Sequence, residues 1–375
     1  MRVGIDGYPL SQLRTGVGHY TFELTRALAR NFPNDDFELI SPKLFDPSVL
    51  AEFQQESIPN LRLTKAKSSS IRGHWWSIGL PLYAKRARFD VFHGTNYELP
   101  LWNRRRTVVT VHDLSTLRYP EMHRRSLARR MRARLPLTVK MAHAIITPTE
   151  AIRRELCERL KVKPEKVTAI HEAPRQSFAP MPGAEAADIR GRLKIEDQFL
   201  LFVGTLEPRK TLTSLLRAFV RVLQQTTLRL QLVVAGGEGW LMDQASALMN
   251  SSELSERVRV IGYTNDKDLR ALYSSCQAFI YPSVYEGFGL PPLEAMACGA
   301  PVIANRIAAL EETLGEAAIL IDASDDQTLA DAIVGLLNNE TRRSKLGANG
   351  PNRAGKFSWD RAARLTYQVY ERILE

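Results

Sequence analysis

Cysteine is scarce in this chain. Its three copies, Cys157, Cys276 and Cys298, show no C-x-x-C spacing, which argues against a structural zinc site and a disulfide framework and fits a reducing compartment. Each reads as a small structural hydrophobe. Long apolar runs are absent too: none approaches the ~20 residues a helix needs to span a bilayer. No charged segment followed by an apolar one precedes the strand-like Val3-Gly4-Ile5, so a cytoplasmic location is expected, with the inner face of the membrane as a possible station. Low-complexity tracts and solenoid-length repeats are missing as well. Without zinc-finger spacing, a helix-turn-helix pattern or an aromatic RNA-binding signature, nucleic acid is not the expected partner.

What is present suffices for packed cores. Hydrophobic residues make up 44% of the 375, and the length suggests about two or three domains. Charge is divided unevenly: residues 1–180 hold 30 Lys and Arg against 17 Asp and Glu, and residues 181–375 hold 21 against 24. The basic excess gathers at Arg104-Arg105-Arg106, Arg118, His123-Arg124-Arg125, Arg129-Arg130, Arg132 and Arg134, with Trp75, Trp76 and Trp102 nearby in sequence. Cations beside aromatics suit an anionic headgroup region, where each basic residue contributes about 1 kcal/mol. The same pattern suits a solvated helix face over a packed apolar side.

Apolar, β-rich runs fall at residues 2–5, 37–40, 91–92, 107–111 and 144–146, with helical stretches at 19–31, 127–141 and 149–160. The alternation then restarts, with strands at 199–203, 231–235, 258–261, 278–281, 301–304 and 318–321 and helices at 212–224, 240–248 and 267–274. This βαβ order, twice over, implies an α/β protein of two Rossmann-like parallel-sheet domains. A Pro- and Ala-rich stretch between them is the expected linker, giving a first domain at 1–175, a linker at 176–190 and a second domain at 191–356. Ligands of open parallel sheets bind beyond the carboxyl ends of the strands. The unusual segments sit there: Asp6-Gly7-Tyr8, Thr15-Gly16-Val17-Gly18-His19, His112-Asp113, the run from Gly204 to Lys210, Gly236-Gly237-Glu238-Gly239, and the run from Glu286 to Glu294. A cleft between the two domains, lined by these loops, is the expectation.

The last segment is the most informative. In Tyr285-Glu286-Gly287-Phe288-Gly289-Leu290-Pro291-Pro292-Leu293-Glu294, prolines open and Gly299 closes a helix expected at 291–298. The N–H groups of its first turn and the dipole behind them favour an anion, and the glycines let a phosphate approach the main chain. Carboxylates beside a diphosphate are repelled unless they serve sugar hydroxyls, so Glu286 and Glu294 suggest a nucleotide-sugar. A plain strand, turn and helix, with Glu294 complementing the dipole, fits the spacing as well.

Over essentially its whole length the chain resembles the retaining glycosyltransferases of the large bacterial family 4, of GT-B architecture, and among them polysaccharide and O-antigen mannosyltransferases. Glu286 and Glu294 match the family's E-x7-E signature. Arg209-Lys210, after Phe202-Val203-Gly204-Thr205, matches the basic pair that holds the donor diphosphate. Gly16-Val17-Gly18 resembles the glycine loop at the cleft, Ile261-Gly262-Tyr263 the turn over the nucleotide base, and His112 the histidine that contacts the donor sugar. Residues 357–375, beginning Phe357-Ser358-Trp359-Asp360, resemble the helix that crosses back onto the first domain.

The resemblance implies transfer of a hexosyl group, mannosyl from GDP-mannose being favoured over a UDP-sugar, to a hydroxyl of a glycan or lipid-linked acceptor, with retention at the anomeric carbon. Arg209 and Lys210 would neutralise the leaving diphosphate, Glu286 would bind donor-sugar hydroxyls, and Glu294 would bind the ribose. Gly16, Gly18, Gly204, Gly262, Tyr263, Gly287, Phe288, Gly289 and Leu290 would line the donor. The implied route is attack from the leaving-group face, catalysed by positioning and electrostatics. Neither cofactor nor metal is expected: Asp266-Lys267-Asp268 has the spacing of a metal motif, but Asn265-Asp266 opens a helical pattern, where capping explains the acids. The alternatives are a UDP-sugar-dependent transferase, a phosphorylase or epimerase of the same fold, and a non-catalytic nucleotide or nucleic-acid binder using the basic half.

Overall fold

The computed structural model describes residues 1–66, 75–100, 106–237, 239–240, 243–323 and 325–375. The chain divides into two compact units. Unit 1 comprises Met1–Leu117, Ala128–Glu172 and Ser358–Glu375; unit 2 comprises Arg118–Leu127 and Ala173–Phe357.

Unit 1 is built on seven parallel strands: β1 (Arg2–Asp6), β2 (Asp36–Ser41), β3 (Leu61–Lys65), β4 (Val91–Gly94), β5 (Arg106–Thr110), β6 (Ala144–Thr147) and β7 (Val167–Ala169). Their order is β3-β2-β1-β4-β5-β6-β7. Val3, Ile5, Phe92, Val108, Val109 and Ile145 are buried, as a sheet covered on both faces requires. The sequence reading missed β3 and β7. Both are edge strands with half-exposed residues, so neither presents an unbroken apolar run. Strand order reverses between β1 and β4, which sets Asp6 beside Gly94 and Thr95 at the carboxyl edge, with His112 just past neighbouring β5. The last helix, Trp359–Leu374, belongs to this unit: Tyr367 stacks on Phe32 with ring centroids 3.6 Å apart, and the Tyr370 hydroxyl is 2.7 Å from His93 Nδ1.

Unit 2 carries six parallel strands, β8 (Phe199–Val203), β9 (Gln231–Ala235), β10 (Val258–Gly262), β11 (Ala278–Tyr281), β12 (Val302–Asn305) and β13 (Ile319–Ile321), in the order β10-β9-β8-β11-β12-β13. Alternate side chains feed two cores. Phe199, Leu201, Phe279 and Tyr281 enter one, while Leu200, Phe202, Ile280 and Ile303 enter the other. Cys276 and Cys298 are small members of the first core, and Cys157 is half-buried and unbridged.

Two boundaries differ from the sequence reading. The expected linker 176–190 runs into a helix, Gly183–Leu193, whose Ala186 and Ile189 are buried with Ala271. Its helical period was hidden by Pro, Gly and Ala. Residues 118–127, expected in the first domain, belong to unit 2, where Trp240 Nε1 donates to the Met122 carbonyl at 3.0 Å. Among the described residues no helix is long and apolar enough to cross a membrane.

Candidate functional site

Strand order in unit 2 reverses between β8 and β11, so the loops that follow these two strands lie side by side at the carboxyl edge. The first loop winds through a short turn at Pro208–Lys210 and leaves through Thr211 at φ 49°. Lys210 Nζ donates to Glu286 Oε1 and to the Tyr281 hydroxyl, both at 2.6 Å. Arg209 Nη1 donates to Glu286 Oε2 and the Tyr285 carbonyl, both at 2.9 Å, and Arg209 Nη2 is 2.5 Å from Glu207 Oε1. Burial would raise the Glu286 carboxyl, but Arg209 and Lys210 outweigh it and hold the group at about 2. Burial pushes the Lys210 ammonium down against the pull of Glu286.

Three residues singled out from sequence thus form one buried cluster. Glu207 and Tyr281 were missed, although Glu207 stands two residues before Arg209 and Tyr281 is the polar end of an apolar strand. Two carboxylates balance two cations here. An anion entering such a cluster would find a lysine whose three protons exceed the two acceptors it serves.

Glu294 lies elsewhere in the network. Arg175 grips it as a fork, Nε to Oε1 at 2.7 Å and Nη2 to Oε2 at 2.9 Å, and reaches Asp266 Oδ1 through Nη1 at 2.6 Å. Burial pushes the Glu294 carboxyl up, against the pull of Arg175. Asp268 is paired with Arg192, and its backbone N–H is capped by Asn265 Oδ1 at 3.0 Å, so both acids of the Asp-x-Asp pattern serve helix and ion-pair roles. The sequence reading missed Arg175, a lone arginine beside the supposed linker.

The glycines fall at adjacent strand ends. Gly236 has φ +142°, and a Cβ there would stand 1.9 Å from the Gly204 carbonyl oxygen; its N–H donates to the Gly262 carbonyl at 2.8 Å. Tyr263 is half-exposed beside Gly262. Gly289, at φ +93°, begins the helix Leu290–Ala297, one residue earlier than the sequence suggested, and a Cβ on it would meet Leu310 Cδ2 at 2.5 Å. The Phe288 ring is buried, edge-on to Phe357 with centroids 5.7 Å apart. Glu238 lies outside the described residues. Arg306 donates to the Leu320 carbonyl at 2.6 Å on the surface.

In unit 1, His112 is buried with both ring nitrogens engaged. Nε2 is 2.8 Å from the Thr95 carbonyl, an acceptor, so it carries the proton; Nδ1 is 3.2 Å from Glu172 Oε1. Burial lowers its pKa, but the hydrogen bond and charge of Glu172, with the Thr95 carbonyl and the Asp113 charge adding, more than reverse this, for a net rise. Gly16 begins the helix Gly16–Asn31 with open space around its Cα, whereas a Cβ on Gly18 would crowd the Pro9 carbonyl at 3.3 Å. Asp6 is buried: Oδ1 accepts from the Tyr8 N–H at 3.0 Å, while Oδ2 has no hydrogen-bond partner among the described residues.

The basic run does not act as one patch. Arg130 and Arg134 pair with Glu98 at 2.5 and 2.8 Å, and Arg124 stacks 5.9 Å over Trp240. Trp75, expected near a headgroup region, is in the core at 4% exposure. Arg125, Arg129 and Arg132 are exposed along the helix Arg125–Met141. Trp102, Arg104 and Arg105 lie outside the described residues.

Residues 14–173 match the model of Glycosyltransferase Family 4, and residues 185–353 match that of Glycosyl transferases group 1. The chain belongs to the glycosyltransferases. This glycosyltransferase is 28% identical to O-antigen chain mannosyltransferase B of Escherichia coli, over 99% of its own length and 100% of the relative's. It is 25% identical to O-antigen chain mannosyltransferase RfbU of Salmonella typhimurium, over 86% of this chain and 88% of that one. Its fold matches the crystal structure of Anabaena HepE in complex with UDP and glucose at a TM-score of 0.76, with 18% identity over 99% of this chain and 100% of that one. The two parallel-sheet, Rossmann-like units are those of the GT-B fold anticipated from sequence.

Proposed function

We propose that this glycosyltransferase moves a mannosyl group from GDP-mannose to a hydroxyl of a glycan or lipid-linked acceptor, with retention at the anomeric carbon. The observation that carries this reading is the buried cluster of Arg209, Lys210 and Glu286 at the β8–β11 switch point. In it, Arg209 and Lys210 face the leaving diphosphate and Glu286 the donor-sugar hydroxyls. The bond from C1 to the phosphate oxygen breaks and its electron pair leaves with the diphosphate. The acceptor oxygen bonds to C1 on the same face, and its proton passes to a phosphate oxygen. Two fixed cations where negative charge grows are the main source of acceleration, since preorganised charges need no reorganisation during the reaction.

The mannosyltransferase relatives support the donor sugar, and the UDP in the HepE structure keeps a UDP-sugar as the second reading. Action at the cytoplasmic face of a membrane belongs to the same proposal, supported by exposed Arg125, Arg129 and Arg132. Calorimetric titration with GDP- and UDP-sugars in EDTA tests the donor and its independence of metal, with Glu294→Ala as control. Proton NMR of the product tests retention. GDP-mannose binding that the control weakens by about 1–3 kcal/mol, followed by an α-linked product, is the expected result; binding of UDP-sugars alone moves the donor to the second reading, and a β-linked product overturns retention.

A further inference from the structure

Arg175 sits where three pieces of unit 2 meet. It follows Ala173 and Pro174 at the start of the unit, forks onto Glu294 in the helix Leu290–Ala297, and reaches Asp266 at the start of the helix Asp266–Ser275. The residue is 9% exposed, and its guanidinium lies 4.3 Å over the Phe178 ring, which is itself edge-on to Tyr273 at 5.7 Å. Five donors in a rigid plane, held by an aromatic face, give this contact one geometry.

We infer that Arg175 is the positioning residue that presents Glu294 to the nucleotide ribose and ties it to the loop carrying Gly262 and Tyr263; this rests on the reading of unit 2 as the nucleotide-sugar site. A carboxylate has about four lone-pair positions, two on each oxygen. The Arg175 fork takes one from each oxygen and fixes the carboxylate plane. One position per oxygen is left, the number that two neighbouring ribose hydroxyls need. The Asp266 contact acts on the other side of the nucleotide: Asp266 follows Gly262-Tyr263-Thr264-Asn265 directly, so Arg175 sets the distance between the base-side loop and the ribose carboxylate.

The charged and titratable groups facing Glu294 are Arg175, Asp266, Tyr273 and Cys298. Of these four, among the described residues, Arg175 is the cation. Without it, Glu294 is a buried carboxylate beside Asp266 and takes up a proton more readily, which removes the charged acceptor.

The test is calorimetry of the full chain with GDP and with 2′,3′-dideoxy-GDP, and with the UDP pair, between pH 5 and 9. Wild type is expected to prefer the ribonucleotide by about tenfold or more, the scale of charge-assisted hydrogen bonds. Arg175→Met and Glu294→Ala should each bring that preference close to unity, and the double variant should lose no more than either alone. In Arg175→Met the acid-side loss of GDP affinity should move to higher pH, a shift that a purely structural role does not produce. Arg175→Lys keeps the charge but not the fork, and its preference should fall at least threefold; it carries the test if Arg175→Met does not give a cooperative melt. A wild-type preference retained in both Arg175 variants overturns the inference. Failure of wild type to bind either nucleotide, or to prefer the ribose form, overturns the nucleotide-sugar reading together with it.

Discussion

Lys210 Nζ stands 2.6 Å from Glu286 Oε1, and each side chain is only 8% exposed. Partners 76 residues apart in the chain are joined because β8 and β11 are neighbours in the sheet. Deleting one member of a buried pair leaves an uncompensated charge, which costs about 3–5 kcal/mol. Because Glu286 keeps Arg209 as a second cation, Lys210→Met should lower unfolding stability by less than that and reduce turnover by orders of magnitude. Combining it with Glu286→Leu should recover part of the stability and none of the turnover. Urea unfolding and a transfer assay on the three proteins check both halves; turnover that returned with stability would remove Lys210 from the leaving-group role.

Arg209 is less deeply placed than Lys210, at 15% side-chain exposure. Arg209→Ala should leave the melting curve cooperative and still reduce turnover by orders of magnitude, because a leaving-group charge is lost. Near-normal turnover in Arg209→Ala and Lys210→Met together would sink the diphosphate assignment.

Glu286 and Glu294 should be separable by pH. Glu286 is held at about 2 and stays ionised across the working range. Burial raises Glu294, so it is protonated first as pH falls, and a protonated carboxyl is a weaker acceptor for ribose hydroxyls. Nucleotide affinity should fall on the acid side above the ordinary carboxylate range. Glu294→Ala should weaken affinity by about 1–3 kcal/mol and abolish that limb. Calorimetry across pH checks this; a limb that persists in Glu294→Ala belongs to another group.

Much of this cluster was legible because its members follow strands that are unmistakable in sequence. Phe199–Val203 and Ala278–Tyr281 are short buried apolar runs, and the residues after them form the cluster. Arg175 was not legible. Its partner Glu294 lies 119 residues away, and nothing periodic in the chain marks such a contact. Composition misled in the same region, since Pro and Ala suggested a linker where Ala186 and Ile189 are packed. The arginines around residue 130 were grouped by proximity in sequence, which cannot reveal that Glu98, 32 residues earlier than Arg130, pairs with two of them. Trp75 was grouped with them in the same way and is a core residue.

His112 and Glu172 form a testable pair within unit 1. A histidine raised above its unfolded value of about 6.5 adds stability that is complete below that pH and is lost as pH rises through the raised folded value. Glu172→Gln should remove the largest opposition to burial, leaving only the Thr95 carbonyl and the Asp113 charge, so His112 titrates lower. NMR titration of the ring, with unfolding at pH 6 and 8.5, measures both. An unmoved His112 titration would mean that Glu172 does not set its charge.

The exposed arginines give a surface test. Arg125→Gln, Arg129→Gln and Arg132→Gln together leave the Glu98 pairs and the Trp240 stack intact. Binding to vesicles rich in anionic lipid should fall, and the wild-type signal should fade with salt as the Debye length shrinks to about 8 Å at physiological strength. Unaltered sedimentation would make these arginines a solvated face.

Asp6 should make stability depend on pH in the opposite sense to an ion-paired carboxylate. Burial, with the Glu98 charge adding, pushes it up to about 8 despite the Tyr8 N–H. The folded chain then keeps a proton that the unfolded chain releases near the ordinary value of about 4. Stability contributed at this site is greatest below that value and declines as pH rises towards 8. Asp6→Asn can keep the acceptor for Tyr8 and does not titrate. Its stability relative to wild type should therefore climb between pH 4 and 8 and level off above. Urea unfolding of both proteins across that range is the measurement. A flat difference would mean that Asp6 is ionised in the fold, and its buried Oδ2 would then require a hydrogen-bond donor or a cation to balance its charge.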